Sequence, residues 1–334
     1  MDRGTKIRTR DTWFWRPLLY QLSYTPIGDY IIIAQRPCFV KHFFQISQKI
    51  FRSRKVLDNP ARIGYNKVYL TGGAIMLREL FKPKDLSRRC AMLDTIRGFT
   101  VINMVLFHAA WDLVYIFGVN WPWYHGQGAY IWQQCICWTF IFLSGFCAGM
   151  GKHTLRRGAI VFALGAAITL ITALFMPEEL IVFGVLTLIG SSMLLVGALK
   201  PALQKIPAPL GLALSAVLFV VTRPVNHRAL GLLDHALITL PDGLYRNYIT
   251  AYFGFPQPEF YSTDYFSLVP WLFLFLTGFF LYQLAGEKIL TVKWKGIAPL
   301  NFIGRHALEI YVVHQPVIYG LLMAWNALLR PLFS

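Results

Sequence analysis

The sequence predicts an all-α fold: a polytopic transmembrane helix bundle of about seven spans, with its N-terminus cytoplasmic. Three observations predict it. Hydrophobic residues make up 56% of the chain and charged residues only 14%, and mean hydropathy is +0.48. Several apolar runs approach or exceed the roughly 20 residues that a helix needs to cross a bilayer. The basic residues, finally, gather in alternate connections, as they do where positive charge orients a membrane protein.

The spans fall at about 95–117, 129–150, 158–176, 180–199, 208–222, 266–285 and 306–329. The fifth, PLGLALSAVLFVVT, is short, and only Pro177-Glu178-Glu179 separates the third from the fourth. With the N-terminus inside, the inner segments carry Arg78, Lys82, Lys84, Arg88 and Arg89, then Lys152, Arg156 and Arg157. Lys200 and Lys205 follow, and then Lys288, Lys293, Lys295 and Arg305. The outer segments 118–128 and 177–179 carry no Lys or Arg, and only the long loop at about 223–265 has Arg223, Arg228 and Arg246. An error of one span would break this alternation, so it supports seven spans with the C-terminus outside.

The net charge of +16 resembles a nucleic-acid signal, but its distribution argues for a lipid bilayer as partner and no nucleic acid. Residues 1–90 hold 18 Lys+Arg and 6 Asp+Glu, a net +12, which leaves only +4 for residues 91–334. Residues 1–75 form a basic, aromatic N-terminal segment with no apolar run long enough to span. They read either as a cytoplasmic arm on the membrane surface or as the product of a start upstream of the true one, at Met76 or Met92. Residues 76–334 form the integral membrane domain. The five cysteines are an odd number with no framework. Cys135 and Cys137 point about 200° apart on a helix, so they cannot share a metal, and no metal site is expected.

The first span, from Met92 to Val119, carries more polar groups than an anchor needs: Asp94 and Arg97 at its start, His108 and Asp112 in its outer half. At 100° per residue, Arg97 and His108 return to within about 20° of one face, and Asp112 lies about 40° further round. Each ionisable group costs ~2.5–3.5 kcal/mol within a span, and is tolerated where it faces a bundle interior or a cavity. A carboxylate one turn from a His can hold one ring nitrogen and leave the other as a general base. A bond that only packs the bundle is the plainer alternative. His125, in the outer loop GVNWPWYHGQG, fits either an interfacial belt or an acid/base role at a cavity mouth. The long outer loop has turn chemistry and aromatics, and reads as a cap, a substrate site or a connector. In the last span Arg305 and His306 mark the inner boundary, with Glu309 one turn inside. His314 precedes Gln315-Pro316, where a kink is expected. His314 lines a cavity there or bonds a freed carbonyl.

The motifs LDTIRGFTVINMVLFHAAWDL, FIFLSGFCAG, FGVLTLIG and FIGRHALEIYVVHQPVIYG resemble, in that order, the bacterial branch of the heparan-alpha-glucosaminide N-acetyltransferase catalytic-domain family. That family belongs to the wider group of transmembrane acyltransferases. The resemblance covers about residues 88–330. The first motif also resembles the Arg-x10-His signature of membrane O-acyltransferases, with Arg97 and His108 at that spacing. The resemblance implies acyl transfer from cytoplasmic acetyl-CoA (acyl-CoA) to a sugar or glycan, in the bacterial inner (cytoplasmic) membrane. Under it, Arg88, Arg89, Arg156 and Arg157 would pair with CoA phosphates, although membrane topology alone explains those charges. Arg97 would be a deeper donor-site group, His108 the base, Asp112 its orienter, and Asn103 or Arg97 an oxyanion donor. Arg305 and His314 are further cavity candidates. The chain departs from the heparan enzyme, where an Asn aligns with His108 and the catalytic His follows in the outer loop; His125 is the nearest counterpart. N- versus O-acylation, and direct transfer versus an acetyl-His intermediate, stay open. A proton-coupled transporter using the His/Asp pair is the alternative function, and a scaffold subunit a third. No internal repeat supports the transporter.

Overall fold

The computed structural model describes residues 90–233 and 235–328, and these are mostly helical. Seven helices are long and apolar enough to cross a membrane, as the sequence leads one to expect. Residues 1–75, Arg88 and Arg89 lie outside the described residues. The long helices are α1 (Ala91–Trp111), α2 (Gln127–Met150), α3 (Thr154–Phe175), α4 (Val185–Leu203) and α5 (Ala208–Thr222). A two-stranded antiparallel hairpin, β1 (Ala229–Leu232) and β2 (His235–Thr239), follows, and then the short α6 (Tyr248–Phe253). The chain ends with α7 (Leu268–Leu290), α8 (Ala298–Arg305) and α9 (Ala307–Leu328). It divides into two compact units. The described part of one is residues 137–293, and that of the other is 90–136 with 294–328.

In the first unit, small residues let helices approach closely, the packing expected where lipid leaves no hydrophobic drive between helices. A Cβ on Gly145 would strike the Phe275 carbonyl, and one on Gly278 the Phe142 carbonyl, so α2 and α7 meet backbone to backbone. Gly165 and Gly190 do the same for α3 and α4, against Thr187 and Phe162. Trp271, Phe275 and Phe279 fill the buried face of α7. Lys200 donates to the carbonyls of Ala148 (3.4 Å), Gly149 (3.0 Å) and Gly151 (2.9 Å), capping the carbonyl end of α2.

The long loop is hydrogen-bonded to the turn between α3 and α4. Leu180 and Phe183 carbonyls accept from the Thr263 and Phe266 amides, and Asp264 accepts from the Val185 amide at 3.1 Å, at the first turn of α4. Asn226 donates to the Gly254 carbonyl and to Ser267, and Asn247 caps α6 through the Ile249 and Thr250 amides. Two of its arginines have local partners. Arg223 is buried with its guanidinium 4.8 Å over Trp271, and Arg228 pairs with Asp242 at 2.7 Å.

In the second unit the last motif is divided. Its opening NFIGR ends the separate helix α8, joined at His306 to α9, whose start at Ala307 agrees with the expected last span. Gly98 on α1 lies against the Leu300 carbonyl, and Gly304 on α8 lies against the Asp94 carbonyl. The Arg-Gly and Gly-Arg pairs of the two motifs are therefore one reciprocal backbone contact. Thr95 bonds to Asn301 at 2.5 Å across the same seam. α9 continues as a helix through Pro316.

Candidate functional site

α1 changes pitch at its outer end. Asp112–Ile116 form a π-helical turn, with the Phe117 amide bonded to the Asp112 carbonyl at 3.0 Å. Such turns insert a residue into a helix and recur at functional sites. Gly118 then takes a left-handed φ of 68° and ends the helix. The π turn begins at the carboxylate that the sequence singles out.

Asp112 is fully buried, at 0% exposure. Its Oδ1 accepts from Gln315 Nε2 on α9 at 2.7 Å, so the expected His108–Asp112 hydrogen bond is replaced by a bond between helices. Gln315 can reach because His314 and Gln315 sit at the level of the π turn. His108 instead meets the ring of His314, with centroids 4.7 Å apart and planes at 61°. His314, 8% exposed, bonds through Nδ1 to the Tyr311 carbonyl at 2.6 Å. The sequence offered a bond to a carbonyl freed by Pro316 as an alternative for His314, and the bond formed goes to a different carbonyl. The carbonyl is that of Tyr311, whereas the one left without an amide by Pro316 is that of Val312.

Asp112 Oδ2, His314 Nε2 and Gln315 Oε1 are buried and have no hydrogen-bond partner among the described residues. More than nine in ten buried polar groups in proteins are partnered. Of the seven such side-chain atoms among the described residues, these three lie together on two facing helix segments. Aromatic rings close the site on one side. Phe107 packs against Tyr124 (5.3 Å) and Trp132 (5.3 Å), and Tyr124 donates to the Phe107 carbonyl at 3.0 Å. Burial pushes the Tyr124 phenol far above its ordinary range, so it remains a donor.

The other candidates stand apart from this cluster. Arg97 pairs with Asp94 at 3.1 Å, and eleven residues of helix put it about 16 Å along the axis from His108. Asn103 accepts from Trp132 Nε1 (3.0 Å) and donates to the Phe99 carbonyl (2.9 Å), so both ends of its amide are engaged away from the histidines. His125 is exposed, with Nδ1 3.2 Å from the Tyr115 hydroxyl. Arg305 donates to the Asn301 carbonyl at 3.0 Å. Arg156 and Arg157 are exposed in the first turn of α3, in the other unit. Among the described residues no group of three His, Cys, Asp or Glu side chains is arranged to hold a metal. Sequence reasoning missed Gln315. The available signal was an uncharged hydrogen-bonding residue inside an apolar span, beside a His and a Pro.

Seven membrane-length helices, with two imidazoles, a carboxyl and an amide brought together on α1 and α9, define an integral membrane protein with polar groups gathered between two of its helices. Residues 89–316 match the family described as heparan-alpha-glucosaminide N-acetyltransferase, catalytic. The chain belongs to that family, whose members are transmembrane acetyltransferases. Comparison with curated proteins and with solved structures finds no match for the chain.

Proposed function

We propose that this protein moves an acetyl group from acetyl-CoA, on the cytoplasmic side, to an amine or hydroxyl of a sugar or glycan on the other side of the bacterial cytoplasmic membrane. The observation that carries this reading is the cluster of buried Asp112 and His314 with half-buried His108 and Gln315, held between two segments of the family's matched region. An imidazole of the cluster acts as general base. It takes the acceptor's proton as nitrogen or oxygen attacks the thioester carbonyl, and the carbon–sulfur bond breaks to release CoA. Arg97, one turn into the span, is the donor-side cation, and the ~16 Å of helix from it to His108 leaves room for an extended acyl-carrying arm. Arg88, Arg89, Arg156 and Arg157 belong to the cytoplasmic side, where their charges favour phosphate. Direct transfer in a ternary complex is the preferred route.

Proton-coupled transport remains the second reading, because the same imidazoles and buried carboxyl suit a proton relay. Acetyl-CoA turnover by the purified protein in detergent separates the two. CoA release is read for the wild type and for His108→Ala, with a panel of amino sugars and glycans. Acceptor-dependent turnover that disappears in the variant supports transfer at this cluster. Turnover that survives moves the base to another imidazole. No CoA release with any acceptor, together with no acetyl-CoA binding, rejects the enzyme reading in favour of transport.

A further inference from the structure

Two imidazoles share the cluster, and the structure treats them differently. A carbonyl oxygen only accepts, so the bond from His314 to the Tyr311 carbonyl fixes a proton on Nδ1. The neutral ring then carries its lone pair on Nε2, which is buried and without a hydrogen-bond partner among the described residues. His108 makes ring contacts with Phe107 and His314, but among the described residues its ring nitrogens make no hydrogen bond that would select a tautomer. The carboxyl expected to orient it is engaged by Gln315. A general base needs a set orientation and a set tautomer, and of the two imidazoles His314 has both.

We propose that His314 is the base of the transfer, with Nε2 facing the acceptor and the Tyr311 carbonyl holding the ring from behind. This rests on the acyl-transfer reading above. The acceptor's X–H proton passes to the Nε2 lone pair as X bonds to the thioester carbon. The carbon–sulfur bond then breaks, and the thiolate of CoA takes the proton back from Nε2. The ring ends neutral, with its Nδ1 proton never having left the Tyr311 carbonyl. While the ring is cationic that bond becomes charge-assisted and therefore stronger. Asp112, anchored by the neighbouring Gln315, supplies a fully buried carboxyl to the same cluster. His108, edge to face with His314, is the second imidazole and supports the ring's placement.

The test uses the full-length protein in detergent, with acetyl-CoA as donor, glucosamine as amine probe and glucose as hydroxyl probe. CoA release is the readout. His314→Asn keeps an amide N–H for the Tyr311 carbonyl but has nothing at the place of Nε2. A base role predicts a loss in kcat of about 10²–10⁴-fold, with KM for acetyl-CoA changed by less than about threefold. It also predicts that added imidazole restores turnover to His314→Gly in proportion to its concentration. If His314→Asn does not elute as a monodisperse species, His314→Gln takes its place and is read in the same way. An Asn variant as active as the wild type overturns the inference while leaving acyl transfer standing. So does a loss that falls on acetyl-CoA binding and is indifferent to imidazole, which marks a structural role. A wild type that releases no CoA with either probe or with the glycan panel, and binds no acetyl-CoA, overturns the acyl-transfer reading and this inference with it.

Discussion

Replacing Gln315 by Ala isolates the bond that joins α1 to α9. The bond is 2.7 Å long and its acceptor, Asp112, is completely buried. A hydrogen bond to a charged group contributes about 1.5–3 kcal/mol. Polar bonds between membrane helices average about 0.6 and reach about 1.7 kcal/mol in double-mutant cycles. Short length and full burial place this pair at the upper end of the membrane range, so a coupling of about 1.5 kcal/mol is expected. Gln315→Ala leaves both carboxyl oxygens unpartnered, and the single variant is expected to lose about 2 kcal/mol. On an Asp112→Ala background the same substitution is expected to cost about 1.5 kcal/mol less, since no stranded carboxyl remains. The measurement is reversible unfolding in detergent of the wild type, both single variants and the double variant. A coupling below about 0.3 kcal/mol, within the additivity error of independent sites, would refute the view that this bond holds the cluster together.

Three other outcomes follow from the packing and the charge pattern. Gly98→Ala sets a methyl group against the Leu300 carbonyl, and Gly304→Ala sets one against the Asp94 carbonyl; each is expected to destabilise by about 1–3 kcal/mol. Gly320→Ala, with open space around it, is the control in the same thermal melts and should not destabilise. Lys200→Met removes the donor to three carbonyls at the end of α2, and about 1–3 kcal/mol of stability should go with it, with Lys200→Arg retaining part. The charge alternation predicts a cytoplasmic N-terminus, and with seven spans an outer C-terminus, so alkaline phosphatase fused after Ser334 should be active; an inactive fusion that is nonetheless expressed and inserted would reject that orientation.

Much of the fold was legible because bilayer physics writes itself into composition. A span has to be long and apolar, so 56% hydrophobic residues and seven apolar runs, the fifth of them short, located the helices to within a few residues at most ends. Four separated motifs pointed to the family that residues 89–316 match. The intramembrane His and Asp of the first span were also legible, since such groups are too costly to be incidental. Their partners were not. Helical spacing puts His108 and Asp112 one turn apart, but it does not say whether they bond to each other or to a facing helix. That was decided by α9, which brings Gln315 to Asp112 and His314 to His108, and by the π turn, which changes the pitch of α1 at Asp112. The glycines of the Arg-Gly and Gly-Arg pairs look like local punctuation in the sequence. Only the tertiary structure shows each against the other helix's backbone. Sequence alone determined which segments enter the membrane and which residues are costly there, because transfer from water is a property of each residue. Which costly residues meet is set by the packing of helices about 200 positions apart in the chain, and no local pattern encodes that contact.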